Sequence, residues 1–281
     1  MKKLPEIPLS KLLSFVEEDS PFGDITSEAV IDQQICSAVI TTRQPLVLAG
    51  LSEVVRLVEW YGLVIMKASC DGTVHSAGDE ILVMTGSAHT ILLLERTLLN
   101  IMGRMSGIAT KTKQIQDEVS AINPKCRVAA TRKTAPGLRL MDKKAAMTGG
   151  ADPHRYSLSD AILIKDNHRV LVQVDEAVRH AKEAGAYHRI EAEADTIDEA
   201  LMIAEVGADI ILLDNMSPAE VSRTLALLTE KGHREKVIIE VSGGISEDSI
   251  ASYASLDIDR ISLGMLTHSV TNADFSLDIM K

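Results

Sequence analysis

Aromatic residues make up only 3% of this 281-residue chain, with a single tryptophan. Stacking rings are therefore scarce, and a formal charge of −11 with a pI of about 5.2 opposes the phosphate backbone of nucleic acid. Nucleic acid is set aside as a partner. Nowhere do about 18 apolar residues follow one another, and the opening MKKLPEIPLS carries two lysines but is interrupted by Pro5 and Glu6. No spanning helix or secretory leader is expected, and the chain reads as a soluble, cytoplasmic protein with no membrane partner. The three cysteines, Cys36, Cys70 and Cys126, are odd in number, far apart and without a CxxC pair. That excludes a disulfide framework or a zinc site and leaves three buried, reduced thiols as the expectation. Neither GxGxxG nor GxxxxGK[ST] occurs, which argues against a dinucleotide-binding fold or a P-loop.

What is present is apolar material enough for a core: 46% hydrophobic residues and a mean hydropathy of +0.09. Residues 4–20 carry Leu9, Leu12, Leu13 and Val16 at helical spacing, ending at Pro21, and PFGDIT follows as a loop. Apolar, β-branched runs predict strands at 38–48 and 64–69 with a helix at 52–60 between them, and DGTVHSAGDEILVMTGSA reads as short strands joined by glycine turns. This half is α+β. Two helices are then expected, at 88–103 and 108–119, before Asn123 and Pro124 break the pattern. Beyond them apolar strands recur at 128–130, 161–164, 190–194, 209–213, 237–241 and 260–263, with helices at 175–184, 197–206 and 218–229. Strand and helix in alternation require parallel strands with right-handed crossovers. The expected fold is α/β: an N-terminal α+β sandwich over 1–110, an open TIM-like barrel over 111–270, and a tail, 271–281, packing back on the first domain.

Polar residues fall where those strands end. Arg132 and Lys133 follow the first, Lys165 the second, Asp214 the fourth and Ser242 the fifth, and Glu193 lies near the end of the third. In a barrel the carboxyl ends of all strands converge on one face, so residues over a hundred positions apart meet there. Between Lys125 and Lys144 seven Lys or Arg stand against one acid, a local balance of +6 in a chain whose remainder carries −17. Such a concentration implies a focused site for phosphates or carboxylates. Glu193 and Asp214 suit ribose hydroxyls and a divalent ion held on phosphate oxygens. The glycine-bearing loops SGGI (242–245) and SLGM (262–265) suit a phosphate laid on bared backbone N–H groups. Each feature also has a plain role open to it: Arg132, His154 and Arg155 in surface ion pairs, the loops as ordinary turns, His168 as a cap.

The motifs ERTLLN (95–100), SGIAT (106–110), TRKTAPGLR (131–139), GGADPHR (149–155), LSDAILIKDNH (158–168), GADIILLDNMSP (207–218), EVSGGI (240–245) and SLGMLTHS (262–269) resemble, in order and over nearly the full length, the quinolinate phosphoribosyltransferase family. The resemblance implies a sandwich domain followed by an open barrel, in a homodimer. It implies transfer from phosphoribosyl pyrophosphate to quinolinate, with Mg²⁺ carried by the pyrophosphate and release of nicotinate mononucleotide, pyrophosphate and carbon dioxide. Thr131, Arg132, His154 and Arg155 would then hold quinolinate, helped by Arg96 of the second subunit. Lys133 and Lys165 would meet phosphate charge, Glu193 and Asp214 the ribose and the metal, and Ser242, Gly243, Gly244, Leu263, Gly264 and Met265 the 5′-phosphate. SPFGDIT and Pro153 also resemble the related ModD branch, linked to molybdenum transport, which implies another acceptor; KDNH and ERTLLN resemble the biosynthetic branch. A binding protein for a phosphorylated ligand is the reading from a different class.

Overall fold

The computed structural model describes residues 6–280. In chain order the elements begin with α1 (Leu9–Asp19), α2 (Ile25–Val30), β1 (Ile35–Thr42), β2 (Leu46–Val47), α3 (Leu51–Trp60), β3 (Val64–Ala68), β4 (Val74–His75), β5 (Glu80–Ser87) and α4 (Ala88–Ile122). They continue with β6 (Arg127–Ala130), α5 (Arg139–Thr148), β7 (Ile162–Ile164), α6 (Asp166–Arg169), α7 (Val174–Ala184), β8 (Ile190–Ala194), α8 (Ile197–Val206), β9 (Ile210–Asp214) and α9 (Pro218–Glu230). The last are β10 (Ile238–Ser242), α10 (Glu247–Ala254), β11 (Arg260–Leu263), α11 (Met265–His268) and β12 (Phe275–Met280).

Two compact units divide the chain. One holds Met1–Lys113, Thr134–Gly150 and Leu266–Lys281; the other holds Gln114–Lys133 and Ala151–Met265. In the first, an antiparallel sheet runs β12-β1-β5-β3, with Ile40 opposite both Leu277 and Leu82. Val54, Leu57 and Val58 of α3, Leu82 and Met84 of β5, and Ile91, Leu94 and Leu98 of α4 are fully buried, each such side chain stabilising by roughly 1.5–3 kcal/mol.

The second unit is a six-stranded parallel sheet in the order β6-β11-β10-β9-β8-β7. Each strand after β7 pairs with the one before it in sequence, and β6 returns to pair with β11. Among the described residues no ladder joins β6 to β7; a lone bridge from Ala129 to Asp152 stands on that side, so the barrel is open there. The strands are buried on both faces, as in β8, where all five residues are inaccessible. No helix among the described residues is long and apolar enough to cross a membrane.

Five expectations are corrected. Of the helix expected at 4–20, residues 4 and 5 lie outside the described residues and the helix begins after Pro8; PFGDIT is not all loop, because the Asp24 carboxylate accepts from Thr26 N (3.0 Å) and Ser27 N (3.2 Å) and so starts α2. The two helices expected across 88–119 are one 35-residue helix, α4. Gly103 and Gly107 suggest a break, but Gly107 serves close approach instead: a Cβ there would overlap the Thr271 carbonyl oxygen. Only Cys126 is a buried thiol, with burial pushing its pKa up to about 12, while Cys36 is half-buried and Cys70 exposed. Of the seven cations of 125–144, Arg132 and Lys133 line the strand-end cavity; Arg139, Lys143 and Lys144 belong to the first unit and the others to the second. Lys144 is paired with Glu53 at 2.6 Å, and Lys143 is fully buried.

Candidate active site

The carboxyl ends of the barrel strands close around a cavity of about 400 Å³. From β6 come Thr131, Arg132 and Lys133, and from the loop before β7 come His154 and Arg155. Lys165 follows β7, and Glu193 and Asp214 end β8 and β9. Ser242 and Ser262 come from β10 and β11, and Leu163 and Leu212 give the floor an apolar part. The basic and acidic strand-end residues singled out in the sequence therefore share one cavity. Of the two loops, Ser242 and Ser262, the first residue of each, belong to the lining among the described residues. Gly243, Gly244, Leu263, Gly264 and Met265 continue the chain immediately behind it, leading into α10 and α11. Arg96 lies elsewhere, exposed on α4 in the first unit.

Within the cavity the charges are only partly matched. Arg132 Nε is buried and meets no hydrogen-bond acceptor, and neither Arg132 nor Arg155 has an ion pair among the described residues. Burial, and then the neighbouring Arg132 charge, push the Arg155 pKa below the usual arginine range. Two guanidiniums in one cavity, Arg132 with its Nε unsatisfied and Arg155 with its charge only partly offset by Glu191 and Asp160, form a receptor for carboxylates, to which they donate bidentately. Lys165 Nζ meets Glu193 Oε2 at 3.1 Å, and the Lys165 backbone N–H donates to His168 Nδ1 at 2.9 Å. His168 thus caps the turn rather than facing the cavity. Carboxylate oxygens of Glu193, Asp195 and Asp214 lie within 4.8 Å of one another, a hard-oxygen set suited to a divalent cation.

His154 is set differently from expectation. Its backbone adopts φ 51°, its N–H donates to Asp152 Oδ1 (2.9 Å), and its Nδ1 accepts the Arg155 N–H (2.7 Å). Nε2 faces Glu191 at 3.2 Å and Glu240 at 3.4 Å. Burial disfavours charge on the ring, but the two carboxylates outweigh it and draw its pKa up to about 10. Burial likewise pushes Glu191 above the usual carboxyl range. Both ring nitrogens are engaged, and the ring fixes the backbone that carries Arg155.

Glu191 and Glu240 are missed by the sequence reading, although a signal exists; Ser262, the first residue of the SLGM loop, donates its hydroxyl to Glu240. Successive strand residues face opposite ways, so Glu191 stands on the same face as Glu193 two positions on, and Glu240 on the same face as Ser242. Each pair puts one member in the cavity and one beneath it.

Residues 24–106 match the family model "Quinolinate phosphoribosyl transferase, N-terminal domain" and residues 108–278 the corresponding "C-terminal domain". A probable nicotinate-nucleotide pyrophosphorylase [carboxylating] of Methanocaldococcus jannaschii is 42% identical over 282 residues, covering 99% of both chains. The human nicotinate-nucleotide pyrophosphorylase [carboxylating] is 34% identical over 289 residues, covering 98% of this chain and 93% of its own. Among solved structures, the nicotinate-nucleotide pyrophosphorylase from Francisella tularensis superposes with a TM-score of 0.92 at 30% identity over the whole of both chains.

Proposed function

The chain belongs to the quinolinate phosphoribosyltransferase family, and from that premise we propose how it acts. It is a carboxylating nicotinate-nucleotide pyrophosphorylase of NAD biosynthesis, taking quinolinate and phosphoribosyl pyrophosphate, and its reaction takes place in the strand-end cavity. The observation that carries the assignment of the site is that two guanidiniums with no close ion pair among the described residues, Arg132 and Arg155, share one cavity with Lys165, Glu193 and Asp214.

The pyridine nitrogen forms a bond to the ribose carbon as the bond to pyrophosphate breaks, its electron pair leaving with the pyrophosphate. Loss of the ring carboxylate next to that nitrogen as carbon dioxide, with a proton taking its place, leaves nicotinate mononucleotide. Thr131, Arg132 and Arg155 take the two carboxylates. His154 serves the same grip by fixing Arg155, and Arg96 of a second copy completes it in a homodimer. Lys133 and Lys165 complement pyrophosphate and phosphate charge, Glu193 and Asp214 take the ribose hydroxyls, and the loops at 242–244 and 263–265 receive the 5′-phosphate. The set Glu193, Asp195 and Asp214 fits Mg²⁺; when bound, the ion neutralises charge on the pyrophosphate. No nucleophilic side chain is required, since positioning and fixed charge supply the acceleration. A cytoplasmic location belongs to the same proposal.

The test is direct. Folded protein given quinolinate, phosphoribosyl pyrophosphate and Mg²⁺ should release carbon dioxide, should stop when the metal is chelated, and should turn over nicotinate poorly. No release overturns the assignment, and preference for another ring acid transfers it to the ModD branch.

A further inference from the structure

We propose that Asn215, the residue after β9, is a positioning residue that ties the carboxylate arm of the cavity to its phosphate loop. The inference rests on the reading of the site given above. His154 and Asn215 are the two non-glycine residues with positive φ among those described, and both belong to this site; Asn215 has φ 54°. That left-handed conformation disfavours residues with a Cβ, and asparagine tolerates it better than most. Strain of this kind persists where the surroundings over-determine it, and here they do.

Three contacts fix the residue. Its side-chain Nδ2 donates to Asp214 Oδ2 at 2.6 Å. Its backbone N–H donates to the Ser242 carbonyl at 2.9 Å, linking the end of β9 to the end of β10. Its side-chain oxygen lies so close to Gly243, itself at φ 85°, that a Cβ on that glycine would overlap it. The residue therefore orients the Asp214 carboxylate through its side chain, ties down the backbone entering the loop at 242–244 through its main-chain N–H, and leaves no room for a side chain at 243. Asp214 and Ser242 both line the cavity, whereas Asn215 is exposed and does not. It acts through its neighbours, so its removal should be felt by the sugar phosphate substrate and not by the ring acid bound at Arg132 and Arg155.

Asn215→Gly keeps the backbone conformation accessible and removes the amide; Asn215→Asp keeps the shape and replaces the donor to Asp214 with a second carboxylate. Both are compared with the wild type in the full chain, by steady-state kinetics in each substrate, by calorimetric titration with phosphoribosyl pyrophosphate and Mg²⁺, and by melting temperature. Asn215→Gly should lose roughly ten- to a hundredfold in kcat/KM and in affinity for phosphoribosyl pyrophosphate, with the quinolinate KM within about threefold of wild type. Asn215→Asp should lose at least as much. Unchanged phosphoribosyl pyrophosphate parameters in a folded Asn215→Gly protein overturn the inference alone. Equal losses in both substrates with a lowered melting temperature also overturn it, since they mark a purely structural role. If the wild type binds phosphoribosyl pyrophosphate but does not turn over quinolinate, the acceptor assignment falls, and the calorimetric ratio still decides the role of Asn215. A wild type that does not bind phosphoribosyl pyrophosphate removes both.

Discussion

Replacing Arg132 by methionine should move activity and stability in opposite directions. The guanidinium lines the same cavity as Arg155 with its Nε buried and without an acceptor, and its charge makes that of Arg155 harder to keep. The ligand-free protein therefore carries a repulsion that a bound dicarboxylate relieves. Methionine keeps most of the stem that packs along the strand end and removes the charge. The lost charge-assisted, bidentate contact should weaken kcat/KM for quinolinate by at least about 1.5–3 kcal/mol, which is roughly 13- to 160-fold. Relief of the repulsion is smaller, on the order of 0.5 kcal/mol because both groups are partly exposed to solvent, and should leave the melting temperature unchanged or raise it by about 1–2 °C. The two measurements, carbon dioxide release against quinolinate concentration and thermal melting without ligand, are independent. A kcat/KM within threefold of wild type, or a fall of several degrees in melting temperature, would refute the reasoning, the second because it would mean that Arg132 is held by a structural ion pair.

Two other predictions concern the first unit. Arg96→Ala should be inactive, and mixing it with Arg132→Ala protein should recover part of the activity through mixed dimers; absence of recovery would mean that each copy uses its own Arg96. Arg104→Gln leaves Asp142, which is fully buried, without the two hydrogen bonds of 2.8 and 3.0 Å that it now accepts, at a cost of about 3–5 kcal/mol near neutral pH. Burial already holds the Asp142 pKa above its ordinary value while Arg104 pulls it down, so the variant's carboxyl rises further. A raised carboxyl favours the folded state below the unfolded pKa and loses that contribution as pH rises through the folded value. The deficit should therefore shrink between pH 7 and pH 4.5 in denaturant melts, and equal deficits at both would count against a buried charge as the cause.

The barrel was legible because its physics is local. Parallel strands covered on both faces must be apolar runs, and the helices between them carry their own caps, as at Thr196 and at Ser217 with Glu220. The strand-end residues were legible for the same reason, since the topology alone brings Arg132, Lys165, Glu193 and Asp214 together. What was not legible depends on where the chain passes later. Gly107 looks like a helix breaker until the backbone at Thr271 is seen to run against it. The thiol of Cys70 looks like core material until it is found exposed beside a turn.

Charge shows the same limit most sharply. The run from Lys125 to Lys144 is dense along the chain, but only Arg132 and Lys133 of its seven cations line the cavity, and Lys144 is spent on Glu53. Density along a sequence becomes field in space only if the partners are elsewhere, and partners are a tertiary fact. The acids err in the opposite sense: Glu191 and Glu240 look like ordinary strand residues, and yet they stand under the cavity and fix the ring that carries Arg155. Two buried carboxylates in one barrel are costly to desolvate, and they are tolerable here because His154 and Ser262 donate to them. The cavity thus has acid beneath its cations as well as cations at its rim, and the lower row holds His154, the neighbour of Arg155, in place.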